Sequence, residues 1–158
     1  TGVQTCALPI LATKWAVFVD ADFLFMADIH EILNEADEKY AVQVVKHPDY
    51  KPTESEKMDG QKQTAYFRKN WSSLILWNLA HAGAHRLWHD QLNKRKGLDL
   101  HQFCWLKDHE IGELDPRWNV LDTGKLPEVQ PFAYHYTRGT PDMIGTLPYS
   151  DQWWKFAQ

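Results

Sequence analysis

The sequence has few cysteines and no membrane-spanning run. Cys6 and Cys104 are its two cysteines, and no C-x-x-C spacing occurs. A disulfide-stapled fold is therefore excluded, and a reducing compartment is expected. No apolar stretch approaches the ~20 residues that a transmembrane helix needs, and no charged-then-apolar signal segment opens the chain. We expect a cytoplasmic protein with at most peripheral membrane contact.

Positive charge is also scarce. The 17 Lys and Arg residues are outnumbered by 21 Asp and Glu residues, which gives a formal net charge of −4. Because the cationic residues are scattered rather than gathered in a stripe, nucleic acid is not an expected partner. At 158 residues and 44% hydrophobic content, the chain is long enough for one core, so a single α/β unit is expected. Its eight tryptophans can stack on sugar rings or fill that core.

An apolar run that ends in paired acids is the most informative stretch. Residues 16–19 are apolar and partly β-branched, which predicts a buried strand, and Asp20-Ala21-Asp22 follows directly. Two carboxylates one residue apart at the end of a buried strand need a shared counter-charge, which a divalent cation can supply. The alternative is a turn in which each Asp side chain binds nearby backbone amides.

Local patterns predict the elements that follow. Asp28 is placed as a helix N-cap, with Glu31 at the third helical position. Alternation over residues 40–46 and an apolar run over residues 73–77 predict two more strands. Residues 47–63 are polar and contain Pro and Gly, which is typical of a long loop that can cover a site.

The later part of the chain predicts shorter elements. A short strand is expected over residues 64–67, and the alternation of Trp118 with Val120 predicts another. Asp99 and Ser150 are expected to cap two helices.

The spacing of the histidines is compatible with two other kinds of metal site. His81, His85 and His89 repeat every four residues, so they can share a zinc ion or simply form a solvated helix face. His47-x-Asp49 with a distant His is the pattern of a non-haem iron oxygenase triad. The first pattern lacks the glutamate of zinc proteases, and the second begins a polar loop.

Four blocks resemble known glycosyltransferases. The acid-bearing stretch is similar to the D-x-D region of GT-A-fold enzymes, most closely glycosyltransferase family 8. Residues 70–78 resemble the family block in which an Asn-Ser-Gly turn enters an apolar strand ending in Asn. Residues 114–121 resemble its L-P-x-x-W-N-V block, and residues 132–139 its H-x-x-G-x-x-P-W block. The blocks follow the family's order and extend from Asp20 to Gly139.

The resemblance implies a role for each matching residue. It implies a cation held by Asp20, Asp22 and His135, and the mixture of carboxylates with one imidazole favours Mn²⁺, with Mg²⁺ as a substitute. Gln102, which follows His101 where the family has Asp, is implied to lie near the reacting anomeric carbon. Arg138 is either a fixed charge at the phosphates or a surface residue. The implied contacts to the donor are Asn70, Ser73 (where the family has Gly), Asn78, Arg138 and Gly139.

The implied fold is α/β, a GT-A Rossmann-like mixed sheet. The implied function is metal-dependent transfer of a sugar, with retention, from a nucleotide-diphosphate donor such as a UDP-sugar to a carbohydrate or glycolipid hydroxyl. A GT-A-like nucleotidyltransferase and a non-catalytic sugar-binding domain are the alternatives.

The first ten residues raise a separate question. Residues 1–10, TGVQTCALPI, resemble a translated sequencing adapter and are expected to be non-native. Residues 11–158 would then be a partial GT-A catalytic domain that lacks the N-terminal βαβ half, which grips base and ribose. We expect this chain by itself to aggregate readily, to bind a nucleotide sugar poorly and to be weakly active or inactive.

Overall fold

Two small mixed β-sheets organise the chain. The computed structural model describes residues 14–47, 66–87, 92–122 and 129–156, and this part is mixed α/β. Its strands are β1 (Trp15–Val19), β2 (Phe23–Phe25), β3 (Val42–Val44), β4 (Leu74–Asn78), β5 (Ile111–Glu113), β6 (Val120–Leu121) and β7 (Ala133–His135). The first sheet has the order β1-β4-β3-β5, and the second has the order β2-β7-β6.

The helices of the described part are short. The α-helices are α1 (Ala82–His85), α2 (Gly97–His101), α3 (Pro141–Ile144) and α4 (Ser150–Phe156). The 3₁₀ helices are Ile29–Glu35, Trp71–Ser73, Asp108–Glu110 and Pro116–Trp118. No helix among these residues is long and apolar enough to span a bilayer.

Three strand ends lie together at one end of the first sheet. Strand β4 pairs antiparallel with both β1 and β3, while β3 pairs parallel with β5. In these registers Val19 lies opposite Leu74, and Val44 lies opposite Ile75. The end of β1, the beginning of β4 and the end of β3 therefore lie side by side, so the residues just beyond them are neighbours.

The acidic turn after β1 joins the two sheets. Strand β2 pairs antiparallel with β7, and β6 pairs parallel with β7. The Asp20 amide donates to the Ser73 carbonyl of the first sheet across 2.9 Å. The Asp22 carbonyl accepts from the Tyr136 amide, beside the second sheet, across 3.0 Å. Residues 20–22 are thus fixed by main-chain hydrogen bonds on both sides.

The buried apolar side chains form two clusters. One includes Trp77, Phe103 and Trp105, and the other includes Leu74 and Trp118. Three of the tryptophans thus fill the core, where burial of large aromatic surface stabilises the fold. These three rings are not available to stack on a sugar.

The predicted elements near the acidic turn agree with the structure in position. The strands expected over residues 16–19 and 73–77 match β1 and β4 to within one residue at each end, and the strand expected over residues 40–46 contains the shorter β3. Asp28 is an N-cap, because its Oδ1 accepts from the His30 amide across 2.9 Å. The segment that it caps, Ile29–Glu35, is a 3₁₀ helix.

Of two other local predictions, one is wrong and one holds only in part. Asp99 does not cap a helix, since α2 begins at Gly97 with Lys96 as its N-cap. Val120 lies in the expected strand, β6. Trp118 lies in a 3₁₀ helix instead, because Pro116 supplies a helical φ at its start and Asp115 accepts from the Arg117 amide across 2.9 Å.

The expectation of a GT-A Rossmann-like sheet holds only at the level of a mixed α/β structure. The described strands form two sheets rather than one. The predictions for residues 1–10, for most of the loop over residues 47–63, and for Asp49 and His89 lie outside the described residues. In the strand expected over residues 64–67, the described residues 66 and 67 are not β-structure.

Candidate metal centre

The acidic turn and the end of β7 bring three ligand-type side chains together. One ligand atom from each of Asp20, Asp22 and His135 lies within 4.8 Å of the others. Asp20 and Asp22 are partly buried, while His135 is only 3% exposed. Two oxygens and one nitrogen at this spacing are a donor set that can hold a divalent cation.

Strand pairing fixes His135 beside the acids. Phe23, directly after the turn, is the register partner of His135 across the β2–β7 pair. Their rings stack with centroids 4.4 Å apart and an angle of 20° between planes. Because the turn and the strand are locked together in this way, the imidazole is held against the Asp22 carboxylate.

Asn119 orients the imidazole. Its Nδ2 donates to the Asn70 carbonyl across 3.3 Å, so its Oδ1 is directed to Nδ1 of His135, 2.8 Å away. An amide oxygen can only accept, and Nδ1 of His135 must therefore be the donor. A neutral His135 then carries its proton on Nδ1, which leaves the Nε2 lone pair bare.

The bare nitrogen faces a carboxylate. Nε2 of His135 lies 3.5 Å from Oδ1 of Asp22. Within the described part of the chain, that oxygen is buried and has no hydrogen-bond partner. Two lone-pair acceptors that face each other without a proton repel, and a cation between them converts the repulsion into attraction. The unsatisfied oxygen and the donor set thus fit a divalent metal ion.

The pKa values of two further side chains are shifted by burial and by the charges of this centre. Burial, together with the charge of nearby His135, lowers the pKa of His47 to about 4. Burial, followed by the negative charge of Asp20, raises the pKa of Tyr66 above its usual value. His47 is therefore a neutral imidazole beside the centre. Tyr66 was not singled out from the sequence, and His47 was considered only for an iron site.

Asp122 organises the turn after β7 and was also missed. It is 1% exposed, and its Oδ1 accepts from the Thr137 amide across 3.2 Å and from Thr137 Oγ1 across 2.6 Å. Arg138 donates to the Asp122 carboxylate through Nε and to its carbonyl through Nη2, at 3.1 and 2.9 Å. Arg138 thus forms an ion pair with Asp122, and the Asp122 carboxylate offsets the positive charge of the guanidinium. Gly139 completes the turn with φ 122°, a conformation that favours glycine.

A sequence signal for Asp122 exists. Asp122 directly follows the two apolar residues of β6 (Val120–Leu121), just as Asp20 directly follows β1. The same rule that marked Asp20, a carboxylate directly after a buried strand, would have marked Asp122.

The structure corrects the placement of Asn78. This residue lies at the far end of β4, opposite Trp15, whereas the acidic turn follows Val19 at the other end. Five strand residues separate these ends by roughly 13 Å. Its Nδ2 donates to the carbonyls of Glu38 and Tyr40 across 3.2 and 3.1 Å. Asn78 is therefore a structural side chain away from the candidate centre.

The structure also gives two other predicted contacts local roles. Ser73 is buried and meets the acidic turn through its carbonyl, which accepts from the Asp20 amide. Gln102 is the C-cap of α2, and its carbonyl accepts from Arg68 Nη1 across 2.6 Å. The Gln102 side chain accepts from Cys104 Sγ across 3.7 Å. In the described residues, these bonds do not connect Gln102 to the acids.

The histidine repeat does not form a metal site in the described residues. His81 is the N-cap of α1, and its Nδ1 accepts from the Gly83 amide across 2.9 Å. That nitrogen is occupied by the cap. His85 ends the same short helix, so the two residues do not share a helical face as the spacing predicted.

Comparison with known proteins overturns the family resemblance. No family model matches the sequence, and no solved structure matches it. A search of curated proteins finds similarity to Protein CDI of Arabidopsis thaliana, with 46% identity over 146 residues, which are 88% of this chain and 56% of the relative. The chain thus spans about half the length of the curated relative that it matches. That relative is not named as a glycosyltransferase, so the identification as a GT-A enzyme of glycosyltransferase family 8 is wrong.

Proposed function

We propose that this chain carries the metal centre of a glycosyltransferase, which moves a sugar from a nucleotide-diphosphate donor, such as a UDP-sugar, to a hydroxyl acceptor. The observation that carries the proposal is the contact between Asp22 and His135. Their acceptor atoms face each other at 3.5 Å, while Asn119 occupies the other imidazole nitrogen. The proposed ion is Mn²⁺, with Mg²⁺ as a substitute.

The chemistry of the donor explains why such a centre suits it. When a sugar leaves a nucleotide diphosphate, the departing diphosphate accumulates negative charge. A divalent cation supplies Lewis-acid stabilisation of that charge. Three protein ligands leave coordination positions for phosphate oxygens, as is usual for Mg²⁺ and Mn²⁺ centres that bind substrate phosphates.

The protein's own residues prepare this site before the substrate arrives. The main chain that carries Asp20 and Asp22 is held in place, because hydrogen bonds tie the turn to both sheets. His135 keeps its Nε2 lone pair directed at the centre through its bond to Asn119. Such preorganisation matters because it avoids reorganisation when the charge develops. Arg138, bound to Asp122, positions the turn that carries Gly139.

The proposal is tested by following the products. The full-length protein, with any sequence that its gene encodes beside this chain, is purified and incubated with Mn²⁺, each of several nucleotide sugars and a set of carbohydrate and glycolipid acceptors, and release of nucleoside diphosphate is measured. We expect turnover that is lost on chelation with EDTA and in Asp22→Asn. The exposed Asp151→Asn serves as a matched control with unchanged turnover.

Two outcomes contradict the proposal. With a nucleoside triphosphate and a sugar 1-phosphate supplied in place of the nucleotide sugar, metal-dependent release of pyrophosphate as the nucleotidyl group is transferred would identify a nucleotidyltransferase instead. Equal turnover in wild type and Asp22→Asn with Mn²⁺ present would show that the centre plays no part in the reaction.

A further inference from the structure

Two buried nitrogen atoms near the candidate centre have no acceptor in the described residues. They are Nε2 of His47 and Nδ2 of Asn70. Leaving a buried donor without an acceptor costs about 1 to 3 kcal/mol. Such groups are rare in native proteins, and each one needs an explanation, of which an absent ligand is one.

Strand topology brings both residues to the same end of the first sheet. His47 follows the end of β3, and Asn70 precedes the beginning of β4, beside the end of β1. The Lys46 ammonium lies 5.7 Å from the centroid of the Trp71 ring, so the two chain segments touch next to these residues.

Independent contacts connect each residue to the centre. The Asn70 carbonyl accepts from Asn119, which in turn binds His135. His47 lies close enough to His135 that a positive charge on one imidazole opposes a positive charge on the other. Both unsatisfied nitrogens therefore belong to the surroundings of His135, on the side where β3 ends and β4 begins.

The backbone of this segment is also unusual. Arg68 and Asn70 both adopt positive φ values, 61° and 64°. A left-handed conformation costs a non-glycine residue roughly 1 to 2 kcal/mol, although Asn tolerates it better than most. Strained conformations persist where the surrounding structure imposes them, and they cluster at ligand sites.

We propose that Nε2 of His47 and Nδ2 of Asn70 donate hydrogen bonds to the oxygens of a diphosphate group held at the metal centre. This inference rests on the proposed function and extends it to a second binding surface. An amide nitrogen can only donate, so a ligand of Asn70 must offer acceptors, and a neutral His47 donates to the same ligand in the tautomer that carries its proton on Nε2. A diphosphate fits, because it has enough oxygens to contact a cation and two N–H donors together.

The test uses calorimetry on the whole protein with three titrants: Mn²⁺ alone, then inorganic pyrophosphate and UDP in saturating Mn²⁺. We expect His47→Ala and Asn70→Ala to bind both diphosphates about 10-fold more weakly, the size expected for a hydrogen bond to a charged group. Their affinity for Mn²⁺ alone should stay within about twofold of the wild type, because neither residue is a ligand. The exposed His109→Ala is the matched control and should behave as wild type.

A second variant guards against misfolding. His47→Gln keeps an N–H donor of similar reach and should recover part of the lost pyrophosphate affinity. Unchanged pyrophosphate affinity in His47→Ala overturns the inference, as does a loss confined to UDP, which would place His47 at the nucleoside. A loss of Mn²⁺ affinity in His47→Ala also overturns it, because His47 would then be a metal ligand. If the wild type binds no Mn²⁺, the proposed function is contradicted, and the inference that rests on it falls with it.

Discussion

Nδ1 of His135 donates a hydrogen bond to Oδ1 of Asn119 across 2.8 Å, between residues that are 3% and 1% exposed. The two residues lie 16 positions apart in the chain. The bond decides which imidazole nitrogen is free for the acids. Metal-binding histidines commonly have such a partner, and its loss typically lowers metal affinity by about 10- to 100-fold.

The first prediction concerns Asn119. Asn119→Ala should weaken Mn²⁺ affinity by about 10-fold or more, since the imidazole can rotate or change its tautomer. Asn119→Asp retains an acceptor for the Nδ1 proton and should lose less affinity. The exposed Asn34→Ala is the control. Equal Mn²⁺ affinity for Asn119→Ala and wild type in a calorimetric titration would show that the bond only stabilises the fold.

The second prediction concerns the turn after β7. Asp122→Asn removes the charge that Arg138 binds and weakens the acceptor of Thr137, both of which hold this turn. We expect a loss of about 1 to 3 kcal/mol in the free energy of unfolding. Urea denaturation measures it, with the exposed Asp142→Asn as control. Identical midpoints for the two variants would mean that the buried carboxylate contributes little.

The third prediction concerns stability against pH. Two hydrogen bonds from Arg86, followed by one from the Lys107 amide, lower the pKa of Glu110 from 4.5 to about 2. Because the folded-state pKa is depressed, the stabilisation is complete above pH 4.5 and is lost as the pH falls towards 2.

Denaturation curves between pH 7 and pH 2 test this window. At pH 7 the Glu110→Gln variant should be less stable than the wild type by about 1 to 3 kcal/mol. The difference should shrink steadily below pH 4.5, while the exposed Glu31→Gln should show no comparable trend. A difference that is constant over the whole range would exclude the ionised carboxylate as its source.

Local sequence predicts the acidic side of the centre. Asp20 and Asp22 are marked by their position after an apolar run, and their proximity follows from their spacing. The Asp28 cap and the approximate positions of β1 and β4 follow from equally local rules. These features depend on residues that are neighbours in the chain, so a reading of the pattern can find them.

The rest of the site depends on long-range pairing. His135 was named through a family resemblance that the comparisons contradict, and its approach to the acids requires the pairing of β7 with Phe23. Nothing local distinguishes Val17 of the first sheet from Phe23 of the second. Asn78 was predicted to lie at the site and does not. The sequence shows that Asn78 is a polar residue at an end of β4, but it does not show which end of β4 lies beside the acidic turn. Strand direction decides whether such a residue reaches the site.

The proposed metal centre itself gives the most direct test. Free Mn²⁺ is measured by electron paramagnetic resonance during titration of the wild type, Asp22→Asn, His135→Ala and the control Asp151→Asn. We expect one strong site in the wild type and in the control, with affinity about 10-fold or more lower in both ligand variants, since a direct ligand should matter at least as much as its hydrogen-bond partner. No strong site in the wild type, or equal affinity in all four proteins, would contradict the metal centre and the function built on it.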